Sequence, residues 1–235
     1  MAAAPIIDIA DLVFGWKRNE VTLDIPALSV ESGSRVFVQG PSGSGKSTLL
    51  NLLGGIIVPR AGRIRVLDED LGALPAAARD RFRADHVGFI FQQFNLVPYL
   101  DVVDNVLLPL RFSAARRARL DGDARDVARR LLADLGLSTA DVDTRRTHEL
   151  SVGQQQRVAA ARALLGAPEL VIADEPTSSL DVKHREAFLA LLEAECARSG
   201  ATLVFVSHDP ALAPMFDRVV DLVQINRAPG GGQVP

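Results

Sequence analysis

The stretch "RVFVQGPSGSGKST", Arg35 to Thr48, limits what this 235-residue chain can fold into more than any other. A short apolar run rich in valine and phenylalanine reads as a strand, and "KSTLLNLL" after it reads as a helix. Gly40, Gly43 and Gly45 between them let the backbone fold tightly around an anion. A helix beginning near Lys46 turns its free first-turn amides and the positive end of its dipole toward that anion. The spacing G-x-x-x-x-G-K-[ST] in this context is a phosphate-binding loop. Its candidate contacts are Gly40, Pro41, Ser42, Gly43, Ser44, Gly45, Lys46, Ser47 and Thr48, with Lys46 reaching the β- and γ-phosphates of a nucleotide and the Ser47 hydroxyl ligating Mg²⁺.

Further short apolar runs repeat the strand signal: "HVGFIFQQ", "ELVIADEP" and "TLVFVSHD". They alternate little between apolar and polar, as strands buried on both faces of a parallel sheet do. Strand followed by helix, repeated, argues for an α/β core. Ahead of it, "IIDIADLVFGW", "VTLDIPALSV" and "GRIRVLDED" predict an antiparallel edge, and "HVGFIFQQ" is expected to follow a loop. From about Asn95 to Ala163 the pattern is helical. Leu120, Ala124, Val127, Leu131 and Leu135 recur at helical spacing, predicting one amphipathic helix with its arginines on a solvated face. "NRAPGGGQVP" reads as a loose tail.

Nearly half of the residues are apolar, enough for one domain, or one domain and a subdomain, to bury a full core. A net charge of −3 gives no global support for binding nucleic acid. A single cysteine, Cys196, excludes a disulfide framework and fits a reduced cytosolic setting. Runs such as "LLNLLGGIIV" fall short of the roughly 18 apolar residues that span a bilayer. "MAAAPIIDIADLV" lacks the basic start of a signal peptide, so a membrane role would need a span from another chain.

Three other strands end in polar groups, at the edge of the sheet where open α/β folds bind ligands. "LVIADEP" delivers Asp174, which can hold Mg²⁺, and then Glu175, placed to polarise a water for in-line attack on a γ-phosphate. Gln92 ends "VGFIF" and can offer an amide oxygen to the metal; His208 after "TLVFVS" can hydrogen-bond the γ-phosphate or the attacking water. "LSVGQQQR" opens a helix, with Ser151 as N-cap and Gln154 at the reciprocal capping position. Its first-turn amides attract phosphate in turn.

Taken in order, "GPSGSGKST", "FQQFNLVP", "LSVGQQQR", "LVIADE", "SSLD" and "VSHD" resemble the Walker A, Q-loop, signature, Walker B, D-loop and switch-histidine motifs of the nucleotide-binding subunit of an ATP-binding cassette (ABC) transporter. The resemblance covers nearly the whole chain. It implies a P-loop NTPase (RecA-like) α/β fold with a parallel-sheet core over residues 1–94 and 164–225, an antiparallel β edge subdomain, a helical signature subdomain inserted over 95–163 and a tail over 226–235. It also implies that two copies pair head to tail around two Mg-ATP, the P-loop of one facing the signature of the other. Lys46, Glu175 and His208 are then the catalytic candidates; Ser47, Gln92 and Asp174 hold the metal. Ser151, Gly153 and Gln154 serve the nucleotide of the second copy, and Asp181 crosses the interface, although a helix N-cap role suits Asp181 equally. Trp16, or Phe14 in its place, stacks on adenine.

The family pattern at the signature is usually Leu-Ser-Gly-Gly-Gln, and here Val152 stands at the first glycine. A β-branched residue disfavours positive φ, so position 152 is expected to have ordinary backbone and a side chain turned from the nucleotide. Gly153 is then the residue whose bareness permits close approach, while Gln155 and Gln156 are expected as solvated helix surface or as part of an interface. The family docks a permease's cytoplasmic helix near Phe94, Leu96, Val97, Tyr99 and Leu100, which places the chain on the inner face of the membrane through that integral partner. The closest resemblance is to the branch of lipoprotein-releasing and macrolide-export ATPases. The alternatives are a cell-division member of that branch and a soluble ABC protein of translation or repair. The interval of about 100 residues between Thr48 and Leu150 leaves no room for the coiled-coil insertion such soluble proteins carry.

Overall fold

A computed structural model describes residues 5–178 and 180–229. The elements in chain order are β1 (Pro5–Phe14), β2 (Leu23–Glu31), β3 (Arg35–Gln39), α1 (Lys46–Leu53), β4 (Ala61–Val66), β5 (Glu69–Asp70), α2 (Ala76–His86), β6 (Val87–Ile90), α3 (Val102–Phe112), α4 (Ala114–Ala118), α5 (Ala124–Asp134), α6 (Thr139–Thr144), α7 (Val152–Leu164), β7 (Leu170–Asp174), α8 (Val182–Ser199), β8 (Thr202–Val206), β9 (Arg218–Asp221) and α9 (Leu222–Ile225). One sheet has the order β2-β1-β4-β5 and is antiparallel; the other has the order β6-β7-β8-β3-β9, in which β6 pairs with β7 and β3 with β9 in parallel. Contacts divide the chain into two units, one running up to Arg83 and resuming at Val204, the other Ala84–Leu203. No helix among the described residues is long and apolar enough to cross a membrane.

In the first unit the antiparallel sheet buries Ile7, Ile9, Leu12, Leu23, Ile25 and Ile64 completely or nearly so. Asp8 of β1 points outward and meets Arg63 of β4 in an exposed ion pair. A bulge between Ala10 and Val13 puts Asp11 at φ 49°. Opposite it Gly62, at φ +79°, comes so close that a Cβ there would lie 2.0 Å from the Asp11 carbonyl oxygen. Asp217 ties β9 to β3, accepting from the Arg35 backbone N–H at 2.8 Å and from its guanidinium at 2.6 Å.

The expected loose tail is corrected over Asn226–Ala228. Asn226 accepts from the Asp24 N–H (2.8 Å) and donates to the Thr22 carbonyl (3.0 Å), while the Arg227 N–H reaches the Asp24 carbonyl. These residues extend the edge of β2, and Ala228 is buried. Residues 230–235 of that tail lie outside the described residues.

The second unit is organised by α7, whose Val158, Ala159, Ala160 and Ala161 are all fully buried. It packs on β6, α3, α5 and α8. Its small side chains allow β6 to approach closely: a Cβ on Gly88 would lie 2.3 Å from the Ala163 carbonyl oxygen. Arg116, nearly wholly buried, closes this junction. Its guanidinium donates to the Ala163 and Leu165 carbonyls (both 3.2 Å) and to the Val87 carbonyl (2.6 Å), capping the last turn of α7. Burial, with Arg119 nearby, lowers its pKa to about 10, so it stays charged at neutral pH.

The expected amphipathic helix is shorter than its apolar spacing suggests. Gly122 at φ +104° and the Asp123 cap, which accepts from the Arg125 and Asp126 N–H groups, start α5 afresh, leaving Leu120 and Leu135 outside it. Gly122 breaks the turn and Asp123 satisfies the new one. The expected loop ahead of "HVGFIFQQ" contains α2, and β9 also went unread in the sequence.

Candidate nucleotide-phosphate site

The first unit holds the phosphate loop at the carboxyl end of β3. Gly43 (φ +80°) and Gly45 (φ +99°) take the left-handed backbone that glycine permits. A Cβ on Gly40 would fall 2.6 Å from Ser44 Oγ, and one on Gly45 the same distance from Leu23 Cδ2. The N-terminus of α1 has no side-chain cap and no acidic residue in its first turn. No capping side chain or carboxylate of that turn competes with an anion at this helix start. Lys46, 8% exposed, folds over the loop and donates to the carbonyls of Gly40 (2.7 Å) and Pro41 (3.0 Å). Ser44 Oγ is buried without a hydrogen-bond partner, an orphan that phosphate oxygens would satisfy. Pro41, Ser42 and Ser47 are exposed at the mouth, and Thr48 is buried at the first turn of α1. These features fit a nucleotide polyphosphate.

Two more expected contacts belong to this unit. Ser207 donates its N–H to the Val38 carbonyl at 3.4 Å, which sets the next residue, His208, exposed beyond the end of β8 and beside the strand that leads into the loop. Trp16 is 58% exposed and meets Phe14 edge-on, with ring centroids 5.2 Å apart; Phe14 is a core residue.

In the second unit Gln92 is exposed just after β6. Behind it Phe94 (φ 58°) and Asn95 (φ 48°) adopt the left-handed conformation, and the guanidinium of Arg162 in α7 donates to their carbonyls at 2.5 and 2.6 Å respectively. Burial lowers the Arg162 pKa. Of the groove residues, Phe94 is buried, Leu96, Val97 and Leu100 are half-buried, and Tyr99 is 80% exposed. Asp174 ends β7 half-buried. Glu175 follows at φ 43°, a conformation rare for a side chain of this size and of the kind that clusters at functional sites.

The signature turn forms a reciprocal cap: the Gln154 N–H donates to Ser151 Oγ at 3.3 Å and the Ser151 N–H to Gln154 Oε1 at 2.9 Å. Val152 is helical and 48% exposed. Gly153 lies in the same helix, and a Cβ added there would meet only Leu180 Cδ2 at 3.7 Å and Arg157 Nη1 at 3.9 Å, ordinary contacts. Gln155 and Gln156 are not solvated surface. Gln155 donates to the Leu150 carbonyl, and Gln156 is 0% exposed with neither amide atom partnered, because the capped turn rotates this position into the packed face of α7. Asp181 caps α8, accepting from the His184 N–H at 3.1 Å and pairing with its ring at 2.7 Å. Ser179 of "SSLD" lies outside the described residues.

One positioning residue had no reading in the sequence. Asn105 of α3 is completely buried; it accepts from the Val97 N–H at 2.8 Å and donates toward the Val97 carbonyl (3.0 Å) and Thr147 Oγ1 (2.8 Å). It thereby joins the segment after Gln92 to the segment before Ser151. The one signal for it is an amide inside the apolar run "VVDNVLLPL".

Ser47 of the first unit carries a hydroxyl, and Gln92 and Asp174 of the second an amide oxygen and a carboxylate, each by itself a hard oxygen donor of the kind Mg²⁺ takes alongside substrate phosphates. Among the described residues no group of three or more His, Cys, Asp or Glu could hold a metal ion.

Comparison with known proteins matches residues 23–178 to the ABC transporter family. The lipoprotein-releasing system ATP-binding protein LolD of Anaeromyxobacter dehalogenans is 45% identical over 196 residues, covering 83% of this chain and 80% of that protein. The macrolide export ATP-binding/permease protein MacB of Chromobacterium violaceum is 42% identical over 213 residues, covering 88% of this chain and 32% of that protein. Among solved structures, a dimeric ATP-binding cassette in a post-hydrolysis state bound to ADP and Pi matches with a TM-score of 0.80 and 33% identity, covering 92% of this chain and 93% of that one.

Proposed function

The chain belongs to the ABC transporter family as an ATP-binding, ATP-hydrolysing subunit, and from that premise we propose that two copies close head to tail on two ATP molecules and drive a separate integral membrane permease. The observation that carries this reading is Gly153. Glycine costs up to roughly 0.5–1 kcal/mol relative to alanine in the middle of a helix, and less in a first turn such as this one, yet nothing among the described residues excludes a side chain there. A requirement from outside the chain supplies the missing reason: the γ-phosphate held by the second copy's P-loop. The exposed cap at Ser151 and Val152 supports the same reading.

Within such a pair the chemistry is positioning and charge. The loop Gly40–Thr48 and the first turn of α1 hold the phosphates; Lys46 reaches the β- and γ-oxygens; Gly153 and the capped turn of the other copy close over the γ-phosphate. Glu175 orients and polarises the attacking water, and His208 hydrogen-bonds the γ-phosphoryl oxygen as charge develops there. Trp16 stacks on the base, and Asp181, already a helix cap, faces the interface. Ser47, Gln92 and Asp174 would hold Mg²⁺, which when bound supplies Lewis-acid neutralisation of phosphate charge. The helical residues 95–163 form the subdomain that receives the permease, with Tyr99 exposed for the contact, and the core covers 1–94 and 164–225. The protein is then peripheral on the inner membrane face, in the lipoprotein-releasing or macrolide-export branch, moving a lipoprotein or a hydrophobic compound.

Mixing two inactive variants tests the shared site. Lys46→Ala disables one half and Gly153→Asp the other, so a mixed pair keeps one intact site. Hydrolysis should return to about a quarter of the wild-type rate, since half of the pairs are mixed and each keeps one site of two. No recovery on mixing refutes the head-to-tail arrangement.

A further inference from the structure

Arg60, the residue before β4, spends its guanidinium on a single loop. It donates to the carbonyls of Gly15 (2.6 Å), Arg18 (3.1 Å) and Glu20 (3.0 Å), and also to that of Lys17. Those carbonyls belong to the connection from β1 to β2, the loop that carries Trp16. The loop's own closure is slight: the Glu20 N–H reaches the Lys17 carbonyl and the Thr22 N–H the Phe14 carbonyl. At its neck the backbone doubles back so tightly that a Cβ on Gly15 would lie 1.7 Å from the Glu20 carbonyl oxygen.

Strengthening the hairpin does not account for these bonds. β1 and β2 are already paired from Pro5 to Phe14, and every carbonyl that Arg60 holds lies beyond that ladder. What the bonds determine is the path of the loop, and the path leads to the phosphate site. The returning limb ends at Thr22 and Leu23, which wall the phosphate loop: a Cβ on Gly45 would be 2.6 Å from Leu23 Cδ2 and 3.6 Å from the Thr22 carbonyl oxygen. Trp16, more than half exposed and braced edge-on by Phe14, is thus carried on a segment anchored at one end to the phosphate loop and at the other to Arg60.

We propose that Arg60 is a positioning residue for the base of the nucleotide: it holds the loop Gly15–Glu20 in the one path that presents the Trp16 ring to adenine while the phosphates sit in the loop Gly40–Thr48. The proposal rests on Trp16 being the stacking residue. Arginine suits the task because its planar fork presents five donors in fixed geometry, whereas a lysine ammonium is a point donor that cannot span the same carbonyls.

The chain has one tryptophan, so emission excited at the red edge, where its single tyrosine does not absorb, reports on Trp16 alone. Binding of ATP and of inorganic tripolyphosphate to the wild type, Arg60→Ala, Arg60→Lys and Trp16→Ala is measured by calorimetry, with acrylamide quenching of Trp16 in the nucleotide-free protein. Arg60→Ala should weaken ATP about tenfold, as loss of a base-stacking contact does, leave tripolyphosphate within twofold and make Trp16 easier to quench. Arg60→Lys should fall between, and it carries the test by itself if Arg60→Ala does not fold. Wild-type ATP affinity in both Arg60 variants overturns the proposal, and so does an equal loss for ATP and tripolyphosphate, which marks general damage to the unit. Unchanged ATP affinity in Trp16→Ala refutes the stacking reading and the proposal with it; a loss in Trp16→Ala without one in the Arg60 variants refutes the proposal alone.

Discussion

Replacing Gly153 with alanine should make the protein more stable and less active at once. Gly153 lies in α7, away from the left-handed region, and the added methyl would sit 3.7 Å from Leu180 Cδ2 and 3.9 Å from Arg157 Nη1. With no collision to offset it, the substitution recovers part of the helix penalty of glycine, which is about 0.5–1 kcal/mol in a helix interior and smaller in a first turn. For a chain of this size that raises Tm by at most roughly 4 °C. If the γ-phosphate of a second copy's ATP must approach this backbone, the same methyl separates the amide from it, and losing one such donor costs about 10²–10³ in turnover. Thermal melting of the nucleotide-free protein and steady-state phosphate release measure the two effects separately. Val152→Gly serves as the contrast: Val152 is exposed and helical, so hydrolysis should stay within about threefold while stability slips by a few tenths of a kcal/mol. A stabilised Gly153→Ala with full hydrolysis refutes the reasoning, and equal activity losses from Val152→Gly and Gly153→Asp would sink the assignment of roles within the turn.

Three other outcomes are expected. Glu175→Gln should lower hydrolysis by about 10²–10⁴ while ATP binding, measured by calorimetry, is retained; undiminished phosphate release would require another base. Asn105→Ala strands the Val97 N–H and opens a cavity in α3, so urea unfolding should show a loss of roughly 2–4 kcal/mol, and a loss below about 0.5 kcal/mol would mean that the segment holds without it. Burial, followed by Glu195 and Glu193, pushes the Cys196 thiol up to about 12. A raised folded pKa leaves stability intact below the unfolded value and removes it as pH climbs toward the folded one. Stability should therefore fall from about pH 9 upward more steeply in the wild type than in Cys196→Ala, and parallel pH profiles for the two would contradict the burial argument.

The parts legible in the sequence are those whose chemistry is local. The glycines around Lys46, the apolar strands ending at Asp174 and before His208, and the Ser151–Gln154 cap each carry their geometry in adjacent residues, and the structure bears out these elements. What stayed hidden depends on distant pairing. β9 has only four residues and one buried side chain, so no periodicity marks it; it exists because β3 offers a partner edge. Asn226 looks like linker until Asp24 and Thr22 take up its amide. Gln156 reads as helix surface because its neighbours are polar, and only the packing of α7 shows that it faces inward. The left-handed backbone at Phe94 and Glu175 gave no warning either, since no glycine or asparagine preference points to Phe or Glu there.

The junction of β6 with α7 has a mechanical consequence. Arg116 fastens the start of the strand to the last turn of the helix, Gly88 lets the two backbones nearly touch, and Arg162 grips the loop where the chain leaves the strand. All three act at the last turn of the helix, and a shift of the strand there would strand the buried guanidinium of Arg116. The stretch from Val87 to Asn95, with Gln92 inside it, is thus clamped at both of its ends to one turn of α7 and must move with that turn.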